Sequence, residues 1–63
     1  MSGSNTRLLK YLQYTQALAD DYQRRSLSCE DPIERASLAD RAANIGNVAY
    51  FLGNLYEVLE KND

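Results

Sequence analysis

Two stretches of the chain place apolar residues three and four positions apart, which is the spacing of one face of an α-helix. The first predicts a helix over about residues 5–28, and the second predicts a helix over about residues 32–61. The core-facing positions of the first are Leu8, Tyr11, Leu12, Thr15, Leu18, Ala19 and Tyr22; the second has Leu38, Ile45, Leu52 and Leu59 at seven-residue steps. No stretch alternates apolar and polar residues over the length of a strand, so we expect an all-α fold.

The break between the two helices falls at residues 29–31, which we predict to be a turn. Asp31 precedes Pro32, and the residue before a proline is disfavoured in helical geometry. Asp31 is also a good N-cap, Pro32 suits the first helical position, and Glu34 can complete a capping box. At the other end of the chain we expect residues 1–4 to be disordered, with Ser4 or Asn5 capping the first helix.

Two helices joined by so short a turn are expected to fold into an antiparallel hairpin. Counting outward from the turn places Tyr22 near Leu38, and Leu8 near Leu52 and Gly53. The same register brings two basic residues at the start of the first helix close to two acidic residues at the end of the second; these are Arg7, Lys10, Glu57 and Glu60.

Small residues follow one side of the second helix at steps of three and four: Ala39, Ala42, Gly46, Ala49 and Gly53. A glycine inside a helix costs about 1 kcal/mol relative to alanine. We therefore interpret this stripe as the site of close packing between the two helices.

The second half of the second helix is apolar around most of its circumference, and a single partner helix cannot cover all of it. The residues left over are Val48, Phe51, Leu55 and Val58. An uncovered apolar patch of this kind is typical of an interface. A chain of 63 residues is also marginal as an independent fold. We expect the patch to serve self-association or the binding of a larger protein, with a two-fold dimer that forms a four-helix bundle as the simplest assembly.

Composition narrows the chemistry that the chain can carry. It has seven basic and nine acidic residues, a formal charge of −2, no histidine, and one cysteine, Cys29. This charge gives no attraction toward nucleic acid or an anionic membrane. We expect no metal, no cofactor and no catalytic residue, and so no enzyme, because the usual metal ligands and general bases are missing. The lone cysteine and the lack of a membrane-length apolar window favour a soluble cytoplasmic protein.

Four residues are candidates for an outer contact face: Arg7, Lys10, Tyr14 and Tyr50. The two tyrosines fit the core-facing phase of their helices least well. The two basic residues lie one turn apart on the first helix.

The sequence therefore predicts a small non-enzymatic module for protein–protein interaction or regulation, acting through the surface of a helical bundle. One alternative is a nucleic-acid-binding bundle like that of the plasmid-encoded Rop protein, also a helical hairpin that dimerises. This alternative rests on likeness of architecture alone. Another is a small subunit or adaptor of a larger helical assembly. Salt dependence of any nucleic-acid binding would separate the first alternative from the others.

Overall fold

A computed structural model of the protein describes residues 3–62, and the side chains of residues 5–62. These residues form two α-helices, α1 (Gly3–Ser28) and α2 (Pro32–Lys61), joined by residues 29–31. The all-α prediction is confirmed over this range. Side-chain hydrogen bonds join Asn5 to Glu60 at one end and Ser26 to Arg35 at the other. The two helices therefore lie side by side and run in opposite directions.

Helix α1 begins earlier than the sequence indicated. Gly3 and Ser4 are already helical, so the expected disordered segment does not extend to them, while Met1 and Ser2 lie outside the described residues. Asn5 is consequently inside the helix and not at its cap. Its amide nitrogen donates to a carboxylate oxygen of Glu60 at 3.1 Å, which joins the start of α1 to the end of α2.

Helix α2 begins where the capping residues predicted. Asp31 is extended (φ −74°, ψ 118°), and its carboxylate accepts a hydrogen bond from the Ile33 backbone N–H at 3.2 Å. Pro32 occupies the first turn, where its missing N–H has no intrahelical partner to lose. The second half of the predicted capping box is wrong: the Glu34 carboxylate accepts from the Cys29 thiol at 3.4 Å. The turn places the Cys29 thiol beside the first turn of α2, where it is the donor to the Glu34 carboxylate.

The turn is fastened to both helices by polar contacts. Ser26 is buried, and its hydroxyl donates to the carbonyl oxygen of Arg35 at 3.0 Å. The Arg35 side chain returns across the turn and donates from Nε to the carbonyl oxygen of Cys29 at 2.9 Å. These two bonds set the position of α2 against the end of α1.

The register of the hairpin differs from the expected one toward its open end. Ser26 lies opposite Arg35, within about one residue of the prediction, but Gly53 faces Leu12 and not Leu8. The Leu12 Cδ1 atom is 3.8 Å from the position that a Cβ of Gly53 would occupy. A shift of about four residues returns each helical stripe to the same side, so periodicity alone does not distinguish two registers one turn apart.

The core of the hairpin is thin. Among the described residues, the buried apolar side chains are Ala42 and Ala49. The Cα atoms span 47 × 14 × 11 Å, so the molecule is one helix thick. Tyr11, predicted to face the core, is 58% exposed, because a single layer has no second layer to cover that position. Within residues 3–62, neither helix has the length and apolarity needed to span a bilayer.

Candidate functional site

A molecule one helix thick has two broad sides, and here they differ in chemistry. On one side a shallow hollow of about 300 Å³ is lined by Arg7, Leu8, Tyr11 and Leu59. Helical periodicity of 100° per residue extends this side along both helices. Its apolar residues, which we name the apolar face, are Leu8, Tyr11, Tyr14, Leu18, Ile45, Val48, Leu52, Leu55 and Leu59.

The apolar face is open to solvent over much of its area. Tyr11, Tyr14, Val48, Leu55 and Leu59 are exposed, and the other four residues are half-buried. Exposed apolar residues scattered singly are normal, whereas a contiguous group on one side is typical of interaction surfaces. The face draws on both helices, whereas the sequence pattern singled out α2 alone.

The patch predicted on α2 extends over about 80° around the helix, from the apolar face toward the side away from α1. All four of its residues are exposed. Val48 and Leu55 lie on the apolar face, whereas Phe51 and Val58 point away from α1, about 40–80° further around the helix. We name these last two residues the outer ridge. The sequence pattern grouped these four residues because none of them is covered by α1. It did not separate them by the direction in which they point.

The opposite broad side carries an open groove of about 640 Å³ between the helices. Its floor consists of small residues, and polar side chains stand along its edges. The floor residues are Ala19, Gly46, Ala49 and Gly53, and the edge residues are Gln16, Asp20, Tyr50, Asn54 and Glu57.

The stripe of small residues is only partly used for packing between the helices. Ala42 and Ala49 are buried, and Gly53 faces Leu12 at a distance that leaves room for a Cβ. Ala39 is exposed, and no atom lies within 4 Å of the position of a Cβ on Gly46. The prediction is wrong at these two positions, because the residues of the stripe do not all point in the same direction from α2. Ala39 and Gly46 are rotated away from α1 and face the groove side or solvent.

The structure does not bring the four outer-contact candidates together. Tyr50 stands at the edge of the groove, while Arg7 lines the hollow on the other broad side. Tyr14 and Lys10 are exposed and project from α1 on the side of Arg7. The four residues therefore cannot contact one flat partner at once.

The ion pairs differ from those that the register predicted. Among the described side chains, the pairs are Lys61 with Glu57 at 3.8 Å and Arg25 with Asp21 at 2.9 Å. Both join residues four apart on one helix, and both are exposed, so each adds little stability. Arg7 and Lys10 form no ion pair in this set, because Glu57 lines the groove on the broad side opposite Arg7 and the Glu60 carboxylate accepts from Asn5.

Near the turn, two guanidinium groups flank one aromatic ring. The Cζ atoms of Arg25 and Arg41 lie 5.8 and 6.0 Å from the centre of the Tyr22 ring. Arg25 comes from the helix of Tyr22 and could be found from its three-residue spacing, but Arg41 comes from α2 and could not. These charged groups mark where the apolar face ends.

The described residues contain no group of three or more histidine, cysteine or acidic side chains arranged to hold a metal ion. The one thiol, on Cys29, lies beside the Asp31 carbonyl oxygen and the Glu34 carboxylate. Comparisons of the chain with protein-family models, curated proteins and solved structures found no match.

Proposed function

We propose that this protein is a small non-enzymatic module for protein–protein interaction or regulation, working in the cytoplasm through the surface of a helical bundle. The observation that carries the proposal is the amount of surface the hairpin exposes. Its accessible area is 4835 Å², whereas a compact monomer of this mass exposes about 4100 Å². The excess of about 750 Å² is close to the area that each partner buries in a standard protein interface.

The apolar face supports the same proposal because it supplies the chemistry such an interface needs. Aromatic and aliphatic side chains occupy its centre, and arginines lie at its ends, at Arg7 and at Arg25 with Arg41. Aromatic residues and arginine are enriched in protein interfaces. We propose a second copy of the chain as the first partner, giving a two-fold dimer that is a four-helix bundle. We assign the outer ridge of Phe51 and Val58 to a larger protein partner.

The test is the mass of the protein in solution, measured by light scattering during size-exclusion chromatography. At tens of micromolar we expect the wild type to have the mass of a dimer. The variant Val48→Asp places a charge in the middle of the apolar face, where burial without a partner is strongly unfavourable, and should reduce the mass to that of a monomer.

Asn47→Asp is the matched control, because it adds the same charge one residue away at an exposed position outside the apolar face. This variant should remain dimeric. A monomeric wild type would contradict self-association, and equal dissociation of both variants would show that charge alone, and not the apolar face, controls the mass.

A further inference from the structure

We infer that the second copy of the chain packs on a face built from both α1 and α2, in which Tyr11 and Tyr14 are α1 contact residues. The inference rests on the self-association proposed above and specifies its surface. It differs from the surface expected from the sequence, which lay on α2 alone and included Phe51 and Val58.

The first support is the position of half-covered residues along α1. Leu8, Tyr11, Thr15, Leu18 and Tyr22 follow each other at alternating steps of three and four, which is the seam pattern of a helical bundle. A residue at such a position is normally covered, yet Tyr11 is 58% exposed in the hairpin. The seam is directed toward a centre that lies outside the single layer.

Helix α2 carries the matching seam on the same side. Its seam residues at alternating steps are Ile45, Val48, Leu52, Leu55 and Leu59. The hollow lined by Leu8, Tyr11 and Leu59 shows that the two seams meet at the open end of the hairpin. In a four-helix bundle each helix has two neighbours, and the directions from the helix to these neighbours are roughly perpendicular. The seam positions on α2 face between α1 and the direction of the second layer.

The dimensions of the hairpin favour an identical second layer over a small ligand. Its radius of gyration is 14.5 Å, whereas compact chains have about 10.6 Å at this length and about 13.8 Å at twice this length. Layered folds bury an apolar face against a second layer. A second hairpin supplies an apolar face of equal length and width, and a two-fold axis makes each face the partner of the other.

The tyrosines suit the place that this arrangement gives them. A tyrosine at the edge of an interface buries its ring and keeps its hydroxyl in water. Tyr11 lies at the core side of the face and Tyr14 one turn outward. The outer ridge lies on the far side of α2, so Phe51 stays exposed in the dimer.

The experiment compares tyrosine and phenylalanine variants of the full chain in the same light-scattering measurement. Tyr14→Asp changes a residue that is 64% exposed, and Phe51→Asp changes a residue of the same exposure. We expect Tyr14→Asp to halve the molar mass and Phe51→Asp to leave it at that of a dimer. Tyr11→Asp is the second variant of the apolar face and should behave as Tyr14→Asp.

Circular dichroism of each variant identifies any loss of helix, and a variant that loses helix is replaced by its serine counterpart at the same position. A dimeric Tyr14 variant together with a monomeric Phe51 variant would overturn the inference while leaving self-association intact. Dimeric mass for all three variants would overturn it as well. A monomeric wild type would overturn both the inference and the self-association proposed above.

Discussion

At the scale of single residues, glycine has two different roles in this hairpin. Gly53 stands where Leu12 of the other helix approaches, and Gly46 stands at the floor of an open groove. Both have the same helical spacing in the sequence. Only the neighbouring atoms distinguish a glycine that faces another side chain from one that faces open space.

The prediction at this scale concerns Gly46→Ala. Since no atom lies within 4 Å of the new Cβ, the change gains helix propensity without a clash. It should stabilise the fold by about 1 kcal/mol, a rise in Tm of about 4–8 °C for a domain of this size. Thermal unfolding followed by circular dichroism measures it.

Gly53→Ala is the comparison, because its Cβ would make an ordinary contact with Leu12 at 3.8 Å. We expect a gain at least as large. A lower Tm for Gly46→Ala alone would mean that the groove is filled in solution by a segment that approaches Gly46 closely.

At the scale of the elements, the start of α2 is the helix boundary that local sequence signals specify most completely. Asp31, Pro32 and the Ile33 N–H form a local cap that needs no tertiary contact. The start of α1 is different, because Asn5 is held by Glu60 from the far end of the sequence. Local signals therefore predict one helix start well and the other poorly.

Removal of this cap by Asp31→Ala should destabilise the hairpin by about 1 kcal/mol, because it leaves an N–H of the first turn without its acceptor. The measurement is the midpoint of urea unfolding. Glu30→Ala is the control, since Glu30 is exposed and lies outside the helix. If both variants lost the same stability, general charge in the turn would matter and the cap would not.

At the scale of the whole molecule, the thin core and the broad apolar face are related, because apolar side chains that the core does not bury are exposed on the face. Two buried alanines among the described apolar residues provide little of the free energy that a stable fold needs. The missing burial is available on the apolar face once a second layer covers it. Folding and association are therefore expected to be coupled.

Coupling has a direct consequence for thermal stability. The Tm should rise by several degrees when the protein concentration increases from about 1 µM to about 100 µM, because mass action favours the assembled state. Val48→Asp should remove this dependence together with the dimer. A Tm that does not change with concentration in the wild type would show that the hairpin is stable as a monomer.

Local signals along the chain are enough to locate both helices, apart from the first residues of α1. Apolar spacing placed both helices and the turn, and Asp31 with Pro32 placed the start of α2 at its observed residue. It also identified Val48, Phe51, Leu55 and Val58 as uncovered, which their exposure agrees with. These features depend on local geometry and on the number of apolar positions that one helix can cover, and both can be counted along a chain.

Contacts between the helices were needed to establish how α1 and α2 meet and which side of the hairpin each exposed residue occupies. Registers one turn apart present the same stripes, so contact distances were needed to pair Leu12 with Gly53. The division of the α2 patch into the apolar face and the outer ridge required the direction of α1. Neither is encoded in periodicity, because a repeat specifies angles around one helix axis and not the position of a second helix.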